Sequence, residues 1–147
     1  MMIECFLDTN VLVYAAAGQT ATPAKHAVAR DLVLNTQFGV SAQTLAEFYR
    51  VVTQKAKTPL SSQDVDAWID ELSARPLTPI DESLVRAGIN ISRRYNLRYF
   101  DAALIAAAER LGAPTFYSED LNNGQTYGKV KVINPFLNTK APAETRP

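Results

Sequence analysis

Ile3-Glu4-Cys5-Phe6-Leu7-Asp8-Thr9-Asn10 is a short apolar run with one acid, closed by three polar residues that suit the start of a helix. It reads as a buried strand ending in helix-capping chemistry, with a short helix expected over residues 11–17. Downstream, Pro23 precedes residues 25–34, where Ala27, Val28, Leu32 and Val33 fall at helical spacing. Residues 38–40 read as a weak strand. Ser41 then caps a third helix reaching about residue 54, with Leu45, Phe48, Tyr49 and Val52 on its inner face.

After the breaker Thr58-Pro59, Ser61 with Asp64 three residues on resembles a capping box, and Val65, Trp68, Ile69 and Leu72 give the next helix an apolar face. Helices three and four are expected to form a hairpin, with Trp68 in it or in the core. Residues 77–80 carry Pro79, which cannot donate to a ladder, so a strand here belongs at a sheet edge. Asp81 caps a helix through about residue 95, and another spans 99–111, stopped by Gly112 and Pro114. Residues 115–118 and 130–133 read as the last two strands. Strands separated by helices, with no run of hairpins, point to an α/β layer fold with a mainly parallel sheet, whose ligand crevice lies at the carboxyl ends of its strands.

The chain of 147 residues is 47% hydrophobic, enough for one domain with its own core, expected over 1–137 with a loose tail over 138–147. Fifteen Lys and Arg balance fifteen Asp and Glu, so any nucleic acid is bound locally and not through a basic tail. The lone Cys5 excludes an intramolecular disulfide and speaks against a thiolate zinc site. No Lys or Arg precedes Lys25, and Glu4, Asp8 and Asn10 interrupt the N-terminal apolar run, so it does not read as a signal peptide. No stretch approaches the ~20 apolar residues of a membrane span. A cytoplasmic protein is expected.

Asp8 and Asp120 follow two of the expected strands, and a parallel sheet brings both to one edge. Asp101 opens a helix whose next turns present Leu104, Ile105 and Ala108, so its carboxylate leaves from a buried stripe. Glu47 flanks the apolar face of the third helix. Each acid has an ordinary structural explanation as well. Asp8 can be a helix cap, Glu47 a surface partner of Arg50, Asp101 a first-turn acid favoured by the helix dipole, and Asp120 part of a turn. Buried together, however, several carboxylates require a neutralising cation. Mg²⁺ or Mn²⁺ suits oxygen ligands with no His or Cys cluster to attract softer metals. Such an ion activates water, orients a phosphodiester and stabilises the leaving oxygen.

The run Phe6-Leu7-Asp8-Thr9-Asn10-Val11-Leu12 resembles the opening of PIN domains, where an acid ends the first strand and Thr and Asn follow. Thr44-Leu45-Ala46-Glu47-Phe48 is similar to the second acid segment of that family, and Tyr99-Phe100-Asp101-Ala102-Ala103-Leu104-Ile105 to the third. Ser118-Glu119-Asp120-Leu121 with Gly124-Gln125 resembles the fourth segment of a VapC-like subgroup. The resemblance spans about residues 3–136; Phe100 stands where many members carry Trp, and Ser118 where Thr is common. It implies a three-layer fold with a five-stranded sheet ordered 3-2-1-4-5. It also implies a Mg²⁺- or Mn²⁺-dependent endoribonuclease with Asp8, Glu47, Asp101 and Asp120 as ligands, a homodimer, and a small antitoxin that covers the cleft. Glu119 is an alternative to Asp120 as the fourth acid.

Asn10 and Ser118 are candidates for a shell that supports the acids. Arg93, Arg94 and Arg98 are candidates for holding phosphates, although a solvated helix end also explains them. His26 lies far along the chain from every acid and reads as surface or packing. Tyr49, Tyr95 and Tyr99 either stack bases or pack in the core. Two other readings compete with the ribonuclease: a phosphatase or dehalogenase with Asp8 as nucleophile, although Asn10 replaces its usual second Asp, and a PIN-like binding module without activity.

Overall fold

Alternation along the first strand, β1 (Cys5–Leu7), sorts the side chains into two layers. Cys5 and Leu7 point to one face of the sheet, where they pack with Val11, Leu12, Phe38, Val40, Phe48, Val65 and Leu72. Phe6 points to the other, against Phe116, Leu104, Ile105 and Val132. All three strand residues are buried, as expected for a central parallel strand covered on both sides. The computed structural model in which these contacts are seen describes residues 3–56 and 59–139. Thr58, and the expected tail from residue 140 on, lie outside the described residues.

The remaining strands are β2 (Phe38–Ser41), β3 (Leu77–Thr78), β4 (Thr115–Tyr117), β5 (Thr126–Tyr127) and β6 (Val130–Ile133). The sheet order is β3-β2-β1-β4-β6-β5, parallel throughout except where β5 pairs antiparallel with β6. The five strands read from the sequence take the order 3-2-1-4-5, with the last of them now β6. The added strand β5 is only two residues long, too short to show periodicity, and it joins β6 through a turn in which Gly128 takes φ 61°. Leu77 and Thr78 form the edge opposite β5, and Pro79 follows them outside the ladder.

Helices α1 (Thr9–Ala17), α2 (Pro23–Asn35), α3 (Ala42–Arg50) and α4 (Ser62–Ser73) contribute to the layer against Cys5 and Leu7, whereas α5 (Glu82–Tyr95) and α6 (Tyr99–Arg110) cover Phe6. The caps are those the sequence announces. Asp8, Ser41, Ser61 and Asp81 each accept a backbone N–H at the start of α1, α3, α4 and α5. The third helix ends earlier than its apolar pattern suggests, since residues Val51–Lys55 form a π-helical turn. Tyr49 is not on the inner face; it is 53% exposed. Trp68 is half-buried, with its ring 5.8 Å from Phe48. It also lines an open groove of about 350 Å³ with Val33, Leu34, Phe38 and Leu72.

Helix α6 is buried all round from Ala102 to Ala108, where five alanines beside Leu104 and Ile105 let it fit between a sheet and another helix. Its contact with α5 is correspondingly close. A Cβ built on Gly88 lies 3.0 Å from Tyr99 Cε1 and 3.2 Å from Ala103 Cα. Gly88→Leu therefore has to push α6 away, and we expect it to lower unfolding stability by about 2–3 kcal/mol, measured as a fall in the urea midpoint. An unchanged midpoint would contradict this packing.

Candidate active site

Leu7 pairs with Tyr117 in the parallel ladder, so the next residues of β1 and β4, Asp8 and Ser118, leave the sheet side by side. The Asp8 N–H donates to the Tyr117 carbonyl at 3.1 Å. One Asp8 oxygen accepts the Thr9 N–H at 2.7 Å, and the other accepts the Ser118 hydroxyl at 2.8 Å. The cap and the sheet-edge acid are thus the same residue. Ser118 is fully buried, and its Oγ also accepts the Asp120 N–H at 3.2 Å, which ties the turn after β4 to Asp8.

The next two residues of the chain reach the other acids. Thr9 Oγ1 donates to Glu47 at 2.8 Å, and Asn10 Nδ2 donates to Asp120 at 3.1 Å. Glu47 is delivered by α3, which starts at the carboxyl end of β2, where Ser41 and Thr44 form a reciprocal cap. Gln43, one turn before Glu47, lies 3.3 Å from its carboxylate and donates at 3.0 Å to the Phe100 carbonyl, joining α3 to the start of α6. Thr9 and Gln43 were not singled out in the sequence. Only the Asp-Thr-Asn run offered a hint of Thr9, because a donor adjacent to a capping acid necessarily sits at the same sheet edge.

Charge confirms that the acids lie within one another's field. Burial pushes the Asp8 carboxyl up to about 7; the hydrogen bonds from Ser118 and Thr9 oppose this, and Asp120 and Asp101 add to it. Burial also raises Asp101, against the pull of Arg98 and with the help of Asp120 and Glu47. The Arg98 contact, 3.9 Å from an Asp101 oxygen, is a loose pair with an exposed guanidinium. Among the described residues no three Asp, Glu, His or Cys side chains close around one point tightly enough to cage an ion by themselves. The donor set is all oxygen, with an excess of negative charge and hydroxyl and amide groups beside it. It fits a hard divalent cation that keeps several waters and takes only a few carboxylates from the protein.

Glu119 is turned the other way. Its carboxylate takes Lys25 Nζ at 2.9 Å and the Tyr14 hydroxyl. Burial first, and Glu119 next, raise the Tyr14 phenol, which keeps it a donor. Of the three arginines, Arg98 alone contacts an acid of the cluster; Arg93 lies with Arg86, Ile89 and Asn90 along α5, and the Arg94 guanidinium lies over the Tyr95 ring. His26 bonds the Tyr14 carbonyl at 2.9 Å and contacts none of the four acids by a hydrogen bond or ion pair among the described residues. Tyr95 packs on Tyr127 and accepts the Gly128 N–H, and Tyr99 packs on Gly88. Phe100, 59% exposed, is the aromatic that α6 presents to solvent beside Asp101. The groove beside Trp68 is lined by none of the four acids.

The carboxyl edge of a parallel α/β sheet thus gathers acids that follow two strands and acids carried by two helices. The family described as PIN domain matches residues 5–128, and the chain belongs to it. Among solved structures, the fold is similar to a toxin-antitoxin complex from Klebsiella pneumoniae, at 16% identity and TM-score 0.67, over 90% of this chain and 98% of that one. It is similar to VapC20 of Mycobacterium tuberculosis, a sarcin-ricin loop cleaving toxin, at 17% identity and TM-score 0.62, over 80% and 90%. It is also similar to VapBC2 of Rickettsia felis bound to a promoter DNA fragment, at 15% identity and TM-score 0.60, over 88% and 97%. A comparison with curated protein sequences finds no match. No described helix is long and apolar enough to cross a membrane.

The raised Asp8 carboxyl makes folding depend on pH. Between its ordinary value of 3.8 and about 7 the folded protein holds a proton that the unfolded chain has released. Stability contributed by protonated Asp8 is therefore fully present in acid and is lost as pH rises through that window. In a chelator at pH 8 we expect Asp8→Asn to be more stable than wild type by about 2–4 kcal/mol, with the advantage gone near pH 4. Urea unfolding at both pH values checks this; an Asn variant less stable at pH 8 would contradict the burial of an ionised Asp8.

Proposed function

We propose that the protein is a divalent-metal-dependent endoribonuclease, the toxin of a type II toxin-antitoxin pair. The observation that carries the reading is the Asp8-Thr9-Asn10 run: Asp8 supplies one carboxylate, and Thr9 and Asn10 hold two more, Glu47 and Asp120. Membership in the PIN domain family and the fold shared with toxins of toxin-antitoxin complexes support it.

In this reading Asp8, Glu47, Asp101 and Asp120 hold Mg²⁺ or Mn²⁺, with Asp120 favoured over Glu119 because both Glu119 oxygens are engaged by Lys25 and Tyr14. When bound, the ion supplies charge neutralisation at the phosphodiester and a nucleophile at neutral pH. The protein's own groups do the rest. Ser118, Thr9 and Asn10 fix the carboxylates by hydrogen bonds, and burial of Asp8 limits water on its side of the cluster. Arg98, at the mouth, offers a cation to a neighbouring phosphate; Arg93 and Arg94 extend that role along the end of α5. Hydrolysis without a covalent enzyme intermediate leaves a 5′-phosphate and a 3′-hydroxyl. The proposed partners are a cognate antitoxin that covers the cleft, a partner class consistent with the toxin-antitoxin complexes of similar fold, and a second copy of the chain in a homodimer. The reaction belongs in the cytoplasm.

Asp8→Asn and Asp101→Asn each remove charge that holds the ion, a loss of several kcal/mol at the transition state and hence at least about a hundredfold in rate. RNA cleavage with Mn²⁺, followed by gel with end-group analysis, is the measurement, with circular dichroism to verify folding. Folded variants that cut as fast as wild type would sink the ribonuclease. An aspartyl-phosphate trapped on Asp8 would replace it with a phosphatase.

A further inference from the structure

Asn10 and Tyr14 are one turn apart on the same face of α1, and they grip consecutive residues of the turn after β4. Asn10 holds Asp120, whereas Tyr14 donates its hydroxyl to Glu119. Lys25, from α2, completes the grip with its ammonium 2.9 Å from the second Glu119 oxygen and 3.4 Å from the Tyr14 hydroxyl. The same ammonium lies 5.1 Å from the centre of the Tyr14 ring and 5.7 Å from that of Phe136, whose rings meet edge to face at 5.2 Å.

A surface ion pair with two free-swinging partners has little effect on anything nearby. This one differs. The Glu119 side chain is only 16% exposed, its two oxygens have separate donors from two helices, and the cation is walled by two aromatic rings. At the start of the same turn, Ser118 is buried and bonded to Asp8. Three consecutive residues are therefore each pinned to a different group: Ser118 to Asp8 after β1, Glu119 to Tyr14 of α1 and Lys25 of α2, and Asp120 to Asn10 of α1. Removing the Glu119 anchor frees the backbone that aims Asp120.

We infer that Lys25 and Tyr14, acting through Glu119, are positioning residues that hold Asp120 for the metal site, an inference that rests on the reading of that site given above. Glu119 is in this account an anchor and not a ligand. Lys25→Met removes the cation while keeping the stem, and Tyr14→Phe removes a single hydroxyl. Supporting groups of this kind typically account for 10–100-fold in metal affinity. We expect Lys25→Met to bind Mn²⁺ about tenfold more weakly and Tyr14→Phe to weaken it in the same direction. Lys25→Arg, which keeps the charge, should recover most of the affinity. With a short RNA, kcat should fall while KM stays unchanged, because neither residue faces the substrate.

Calorimetric titration with Mn²⁺, alongside urea unfolding in chelator, is the test. Equal Mn²⁺ affinity in wild type, Lys25→Met and Tyr14→Phe overturns the clamp and leaves the metal site standing. Tighter binding by Lys25→Met also overturns it, since that result means the freed Glu119 carboxylate is itself a ligand. Absence of Mn²⁺ binding by wild type at millimolar concentration overturns the metal site and the clamp together. If Lys25→Met does not fold, Tyr14→Phe decides the matter alone.

Discussion

Because β1 and β4 pair in parallel with Leu7 opposite Tyr117, the chain leaves both strands at the same point in space, and residues 110 positions apart in sequence become neighbours. Nothing else in the site works without this register. A slip of one residue turns Asp8 and Ser118 to different faces of the sheet and swaps Phe6 and Leu7 into the wrong packing layers. The hydrophobic layers on the two faces therefore enforce the geometry of a polar site they do not touch. Phe6 against Phe116, with centroids 5.5 Å apart, locks one face, while Cys5 and Leu7 lock the other.

Like charges at one sheet edge oppose folding, and the molecule offsets this locally. Each acid has a donor: Ser118 and the Thr9 N–H for Asp8, the Thr9 hydroxyl for Glu47, Asn10 for Asp120, and Arg98 at a distance for Asp101. These bonds are short and mostly neutral, so they steady the carboxylates without cancelling their charge. Asp8 remains far from its ordinary range despite two hydrogen bonds, which shows burial to be the stronger effect there. The resulting concentration of negative potential is what a hard cation would require of the site.

Much of the fold is written in local signals. Caps at Asp8, Ser41, Ser61 and Asp81, the stop at Gly112 and the proline after β3 are chemical features of single residues, and each sits where its physics requires. The misses have local causes too. Thr126 and Tyr127 form too short a strand for period-two alternation to register, the third helix widens into a π turn that its apolar spacing does not betray, and Tyr49 occupies a helical position that periodicity assigns inward although it is largely exposed.

The sequence by itself determined that Asp8 and Asp120 follow strands, that Asp101 opens a helix and Glu47 lies along another, and that the sheet is mainly parallel, because capping, breaking and hydrophobic periodicity act over a few residues. It left open whether Asp120 or Glu119 faces the cluster, and what Thr9, Gln43, Tyr14 and Lys25 do. Neighbouring residues in a turn take different partners, and which of them reaches the cluster depends on groups more than ninety residues away, such as Lys25 and Tyr14 engaging Glu119. That choice is a long-range one, so only the tertiary structure makes it.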